Sequence, residues 1–202
     1  MAANRGFDVK SSKSRDRLIQ ATETLLAEEG GHAVSARRVA QQAGLKPQLV
    51  HYYFRSMEDL LIAAFDRATE QYMALHDKAL AAPQPLRAIW TLNRVNRSDT
   101  RRNIEFVALG NSHERLRQRM LETGEHFRAL QIKAVEQALE KAPGRTHYSA
   151  AGIAMLIAAV ARTIVMESKL GISLAHAELC ELMESLLDEI EPAGDEGTTD
   201  RR

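Results

Sequence analysis

The sequence predicts an all-α protein, and three observations carry that expectation. No stretch sustains the period-two alternation of a half-buried strand, apolar residues recur instead at three- and four-residue spacing, and most Pro and Gly residues fall between the periodic segments. The composition agrees, since 45% hydrophobic, 5% aromatic and 27% charged residues in a 202-residue chain suit a folded helical protein rather than a disordered one.

Residues 1–12 have little apolar periodicity and are expected to form a flexible basic arm. A first helix is expected over residues 14–29, where Leu18, Ile19, Thr22, Leu25 and Leu26 make one apolar stripe and Gly30 and Gly31 stop it. A short helix should run from Ser35, a good N-cap, to Ala43, with Gly44 giving the permissive backbone of a tight turn. Pro47 then opens another, because proline suits only the first turn of a helix. Ser56-Met57-Glu58-Asp59 is a capping box with a shortened acid, and it starts a long helix to about residue 81 with Leu60, Leu61, Ala64, Phe65, Ala68, Tyr72 and Leu75 on its apolar face.

Pro83 and Pro85 interrupt the pattern, and further helices are expected near residues 86–94, 99–109, 112–141, 149–170 and 175–190. The expected organisation is an arm over 1–12, a helix-turn-helix domain over 13–56, a helical domain over 57–191 and a disordered acidic tail over 192–202.

One cysteine, Cys180, cannot make an internal disulfide, and no charged segment followed by an apolar stretch opens the chain, which points to the cytoplasm. The longest apolar run, residues 153–161, is roughly half of the ~20 residues that cross a bilayer, so a buried helix is expected and no membrane partner. Lys and Arg together equal Asp and Glu at 27 each, but the signs are separated along the chain. Arg5, Lys10, Lys13, Arg15, Arg17, Arg37, Arg38, Lys46 and Arg55 lie near the start, while Glu178, Glu181, Glu184, Asp188, Glu189, Glu191, Asp195 and Glu196 crowd the end.

In the segment from Val34 to Phe54, Val39, Ala40 and Ala43 face inward from one short helix and Leu45 plugs the turn. The next helix buries Val50 and the following Phe54 and leaves Gln48, His51 and Tyr52 outward, an outer face that suits a DNA groove. Gln48 can bond an adenine edge in two places, Arg37 can fork onto guanine and Leu49 can touch a thymine methyl. Lys46 and Tyr52 would hold phosphates and fix register without reading sequence.

The helix over residues 15–27, the segment Val34 to Leu45 and the run His51-Tyr52-Tyr53-Phe54-Arg55-Ser56-Met57-Glu58-Asp59-Leu60 together resemble the N-terminal domain of the tetracycline-repressor (TetR) family over roughly the first third of the chain. The resemblance implies a homodimer on a pseudo-palindromic double-stranded DNA operator, with a small molecule in the C-terminal domain changing the separation of the two reading helices. By position, Arg37, Gln48, Leu49, His51 and Tyr52 stand where that family commonly touches DNA, and Ser35, Lys46 and Arg55 complete the expected contact set. Three departures mark this chain: Met57 replaces a phosphate-binding Lys, which loses that contact or moves it to Arg55, Gln48 replaces a small residue, and Lys46 replaces the usual Ser cap.

About two-thirds of the chain lies beyond the motif, more than a helix-turn-helix needs for support. Trp90, Phe106, Met120, Phe127, Met155 and Met166 are adaptable side chains of the kind that line an apolar cavity, with Asn93, His113 and His126 able to orient a ligand, although the same residues also suit an ordinary core. The last helix carries Leu179, Leu182, Met183, Leu186, Leu187 and Ile190 along one seam, and Ala150, Ala151, Ala154, Ala158, Ala159 and Ala161 permit close approach on the helix before it. Across a twofold axis these make a four-helix dimer interface; within one chain they pack the same two helices together.

Catalytic and metal spacings are weak. Glu29 and His32 flank helix-ending glycines, Glu122 and His126 lack two further ligands, Cys180 sits amid acids and no phosphate-cradling glycine loop occurs. Neither an enzyme nor a metal or cofactor site is expected. The reading is a DNA-binding regulator, a repressor released by an apolar effector, with a purely architectural DNA-binding protein without a ligand as the first alternative and an all-helical enzyme as the second.

Overall fold

In a computed structural model the chain is described over residues 3–95, 97–141 and 146–192. Among the described residues there is no strand, and the elements are α1 (Ala3–Glu28), a 3-10 turn (Gly31–Ala33), α2 (Ala36–Gln42), α3 (Gln48–Tyr53), α4 (Met57–Leu80), α5 (Pro85–Val95), α6 (Arg97–Gly110), α7 (Glu114–Lys141), α8 (Ala150–Lys169) and α9 (His176–Ile190). The all-α expectation holds. The expected arm differs, because α1 begins at Ala3 and runs through those residues as helix. No proline interrupts residues 3–12, and Gly6 alone costs only about 1 kcal/mol relative to alanine inside a helix. Beyond Pro192, the expected tail lies outside the described residues.

The chain divides into two compact units, residues 1–73 with 97–124 and residues 74–96 with 125–202. In the first, the α1 stripe closes onto the short helices: Leu18, Leu25, Leu26, Val39, Ala40, Val50, Phe54, Leu60 and Ala64 are buried in one core. Residues from later in the chain complete it. Phe106 of α6 and Leu116 of α7 are fully buried there, and the Phe106 and Phe65 rings meet edge to face at 5.4 Å.

Polar contacts fix α7 on α4 within this unit. The Arg115 backbone N–H donates to Glu58 at 2.9 Å, its guanidinium lies 2.7 Å from Asp59, and Arg119 lies 2.7 Å from Asp66. The Arg115 guanidinium, with the Ser56 hydroxyl, holds the Asp59 carboxyl below the usual carboxylate range.

In the second unit, Leu86, Ile89 and Trp90 of α5 pack with Val135 of α7, with Ile153, Ile157, Ala161 and Ile164 of α8 and with Met183, Leu187 and Ile190 of α9. The run 153–161, expected as a buried helix, lies within α8. One face is buried, but Met155, Leu156 and Met166 on the other are 50%, 44% and 42% exposed. The apolar run does not decide this, because α5 and α9 cover only one side of the helix. By length and composition α8 would also pass as a membrane-crossing segment, and its inner face is instead part of this core.

The acids near the end of the chain are not merely a solvated face. The Glu191 carboxylate accepts the backbone N–H groups of Leu86 at 3.1 Å and Arg87 at 3.0 Å, which supplies the unmet donors at the start of α5. Gln84 donates to the Glu191 carbonyl at 3.1 Å, the Arg87 guanidinium engages Glu184 and lies 2.5 Å from Asp188, and the Trp90 indole N–H donates to Glu184 at 2.8 Å. Glu191→Ala is expected to cost about 1–2 kcal/mol, with Glu191→Gln between it and the wild type, read as a lowered urea midpoint at unchanged slope.

Candidate nucleic-acid interface

The site is built on a bend, a cap and a tight turn. After α1 the chain reverses at Gly30, whose φ of +94° lies where only glycine is comfortable, and the 3-10 turn follows. The Gly31 N–H donates to the Glu105 carboxylate of α6 at 2.8 Å, and a Cβ on Gly30 would stand 3.3 Å from that same side chain. Ser35 then caps α2, its Oγ accepting the Arg38 N–H at 3.4 Å.

α2 ends in a Schellman motif. The Leu45 N–H donates to the Ala40 carbonyl at 2.8 Å and the Gly44 N–H to Gln41 at 3.0 Å, with Gly44 at φ +62°. The Arg17 guanidinium of α1 also donates to the Ala43 carbonyl, so one more terminal acceptor of α2 is met by a cation. Leu45 packs partly buried against the core, as the turn requires.

The two short helices separate an inner from an outer face. Val39 and Ala40 are fully buried, Val50 is 1% and Phe54 4% exposed, while Gln48, His51 and Tyr52 of α3 are exposed and Leu49 is half-buried. Ser35, Arg37, Lys46 and Arg55 are exposed as well. Arg38 differs from its neighbour Arg37 in being tied back to Glu29 at 2.5 Å. Tyr52 stacks edge-on against Tyr53 at 4.9 Å, and the half-buried Tyr53 packs on the core. At the start of α4 the Ser56 hydroxyl accepts the Asp59 N–H at 3.1 Å, the N-cap half of a capping box, and donates to the Asp59 carboxylate at 3.0 Å.

The residues expected to line a ligand cavity are divided between the two units. Phe106 is fully buried in the first core, the His113 Nδ1–H donates to the Leu109 carbonyl at 3.0 Å, and Met120 packs partly buried on that same core. Trp90, Asn93, Phe127 and Met155 belong to the second unit. There Trp90 is fully buried beneath the Arg94 guanidinium, 5.0 Å from its ring, Asn93 is half-buried, Phe127 meets the His76 ring edge-on at 5.7 Å and Met155 is exposed. Burial pushes the His76 pKa down. Apolar spacing alone could not tell which helix face each of these residues would turn inward.

The second unit does carry an open groove of about 610 Å³, lined by Leu75, Ala79, Pro83, Arg87, Leu92 and Val95 among others, and none of the expected lining residues borders it. The interface seam is likewise divided. Met183, Leu187 and Ile190 are buried in their own chain, Ala158, Leu179 and Leu186 are half-buried, and Leu182 is 65% exposed. Among the described residues no group of three His, Cys, Asp or Glu side chains could hold a metal ion, and Cys180 is half-buried against the second core. Sequence reasoning counted Arg15 and Arg17 only as charge and did not single out Glu105 or Arg115; their partners lie 26 or more residues away for Arg17, Glu105 and Arg115, beyond any local pattern.

Residues 18–64 match the family model described as Bacterial regulatory proteins, tetR family. Over 68 residues the chain is 37% identical to the HTH-type transcriptional regulator BetI of Rhizobium meliloti (strain 1021), an alignment covering 34% of this chain and 32% of that protein, so it spans about a third of the curated relative's length. A crystal structure of a putative TetR-family transcriptional regulator from Rhodococcus sp. is similar at a TM-score of 0.70 and 19% identity, over 89% of this chain and 99% of that one. A putative transcriptional regulator from Saccharomonospora viridis, crystallised in complex with choline, is similar at a TM-score of 0.76 and 15% identity, over 88% and 96% of the two chains. At those identities the two structures show a shared fold alone. The helix-turn-helix built as described lies within the residues 18–64 that match the tetR family model.

Proposed function

We propose that this chain is a transcriptional repressor whose homodimer sets two α3 helices into successive major grooves of a pseudo-palindromic operator and leaves it when a small molecule binds the second unit. The observation that carries the reading is α3 itself: Val50 anchors it in the core while Gln48, His51 and Tyr52 stand outward. Polar side chains on a short, firmly seated helix are what a major groove can accept. In this reading Gln48 and Arg37 read base edges, Leu49 touches a methyl, His51 lies along the groove, and Ser35, Lys46, Tyr52 and Arg55 hold phosphates.

Dimerisation is supported by the exposed apolar faces of α8 and α9, where Met155, Leu156, Met166 and Leu182 stay exposed among the described residues. A second copy packed there would fix two half-sites about one DNA turn apart. An effector is supported by the choline bound to the similar Saccharomonospora viridis protein and by the open groove beside α5. Chromosomal DNA as partner puts the protein in the cytoplasm.

Selection from random duplex DNA should enrich a palindrome, and any effector should weaken operator binding by the factor by which operator weakens effector binding, about 5- to 150-fold for a coupling of 1–3 kcal/mol. If every ligand that binds leaves operator affinity unchanged, the protein is an architectural DNA binder instead. Gln48→Ala should relax preference at one base position per half-site, whereas Lys46→Ala should weaken all sequences and flatten the salt dependence, as competition binding at several ionic strengths will read. Leu182→Asp combined with Met155→Asp should convert the dimer to monomer in sedimentation with helix content unchanged, since both side chains are exposed in one chain.

A further inference from the structure

Six arginines of the first unit are held internally. Arg17 donates to the Ala43 carbonyl, Arg38 pairs with Glu29, Arg67 with Glu23, Arg115 with Asp59, Arg117 with Glu114 and Arg119 with Asp66. Each of these cations is held by a carboxylate or a carbonyl. Arg15 is arranged differently. It is exposed on α1, and its guanidinium carbon lies 5.3 Å from the centre of the Phe54 ring. Phe54 is the buried residue that ends α3, its N–H donating to Val50, and it is followed directly by the exposed Arg55.

A ring face orders a guanidinium without neutralising it. Stacking therefore leaves Arg15 with its full charge and its fork of N–H donors available, in a fixed place at the end of the reading helix. Among the described residues, no carboxylate pairs with it. An ordered, uncompensated, forked donor is suited to a phosphodiester oxygen, because the side-chain entropy of docking is already reduced and no internal ion pair must break.

We propose that Arg15 is a DNA-backbone contact, a phosphate clamp placed by α1 and oriented by Phe54 beside the C-terminal end of α3. The proposal rests on the DNA-binding reading and adds to it a contact from a helix outside the two-helix motif. Its contribution is sequence-independent, since a phosphate carries no base information. The clamp also gives the buried Phe54 a second role, as the platform for a cation as well as a core residue.

The test is the affinity of the full chain for a mixed-sequence duplex about four helical turns long, measured between about 50 and 200 mM salt. Relative to wild type, Arg15→Gln should flatten the slope of log affinity against log salt by about 0.9 for each protomer bound, whereas Arg15→Lys should keep the wild-type slope. Thermal melting of the same proteins separates a merely structural role, which would lower the melting temperature and leave the slope of the folded protein unchanged. An unchanged slope in Arg15→Gln overturns the proposal while leaving DNA binding intact. A wild-type chain that binds no duplex overturns both.

Discussion

A six-residue helix has no stability of its own in water, where even good sequences need more than about 12 residues to hold a helix. The whole outward display of α3 therefore depends on what lies beneath it, chiefly the burial of Val50 and Phe54 against α1, α2 and α4. The turn before it is equally constrained. Gly44 holds a positive φ, Leu45 returns its N–H to Ala40, and Arg17 closes on the Ala43 carbonyl from outside the motif. This core is also not made by the motif alone, because Phe106 and Leu116 come from α6 and α7. Reading helix and later helices are thus one folding unit, and the family match over residues 18–64 marks only its N-terminal portion.

In the DNA-binding reading proposed above, the distribution of charge matters more than the chain's net charge of zero. Many of its carboxylates are occupied internally: Glu58 and Asp59 on the start of α7, Asp66 on Arg119, Glu105 on Gly31, and Glu184, Asp188 and Glu191 on α5. The cations around the motif, Arg37, Lys46 and Arg55, stay exposed. What matters for association with DNA is this local field within a Debye length of about 8 Å at physiological salt, not the sum over the chain.

Much of the architecture was legible in the sequence because it is written in local patterns. The stripe Leu18, Ile19, Thr22, Leu25 and Leu26 is buried as its spacing requires, and Ser35, Gly44 and Ser56 each perform the capping or turning that their chemistry suggests. What periodicity could not resolve is which of two apolar partners a helix face meets. Met183, Leu187 and Ile190 share a seam with Leu182, yet three are buried in their own chain and one is exposed, since a stripe wider than one neighbour is divided between interior and surface. Phe106 and Trp90 are both large and aromatic, yet they fill two different cores. Long-range pairs such as Glu105 with Gly31, 74 residues apart, leave no trace in spacing at all.

The Glu191 contacts carry a consequence for the order in which the molecule comes into being. α5 begins at Pro85, but the carboxylate that meets its first N–H groups is made 104 and 105 residues after the donors it serves. During synthesis the first unit has all of its chain once residue 124 has emerged, whereas the second lacks its closing helix until residue 191 is out. Domains fold as units as they leave the ribosome. The first N–H groups of α5 therefore wait on the nascent chain for Glu191, the residue that follows α9, until after all of the first unit has been made.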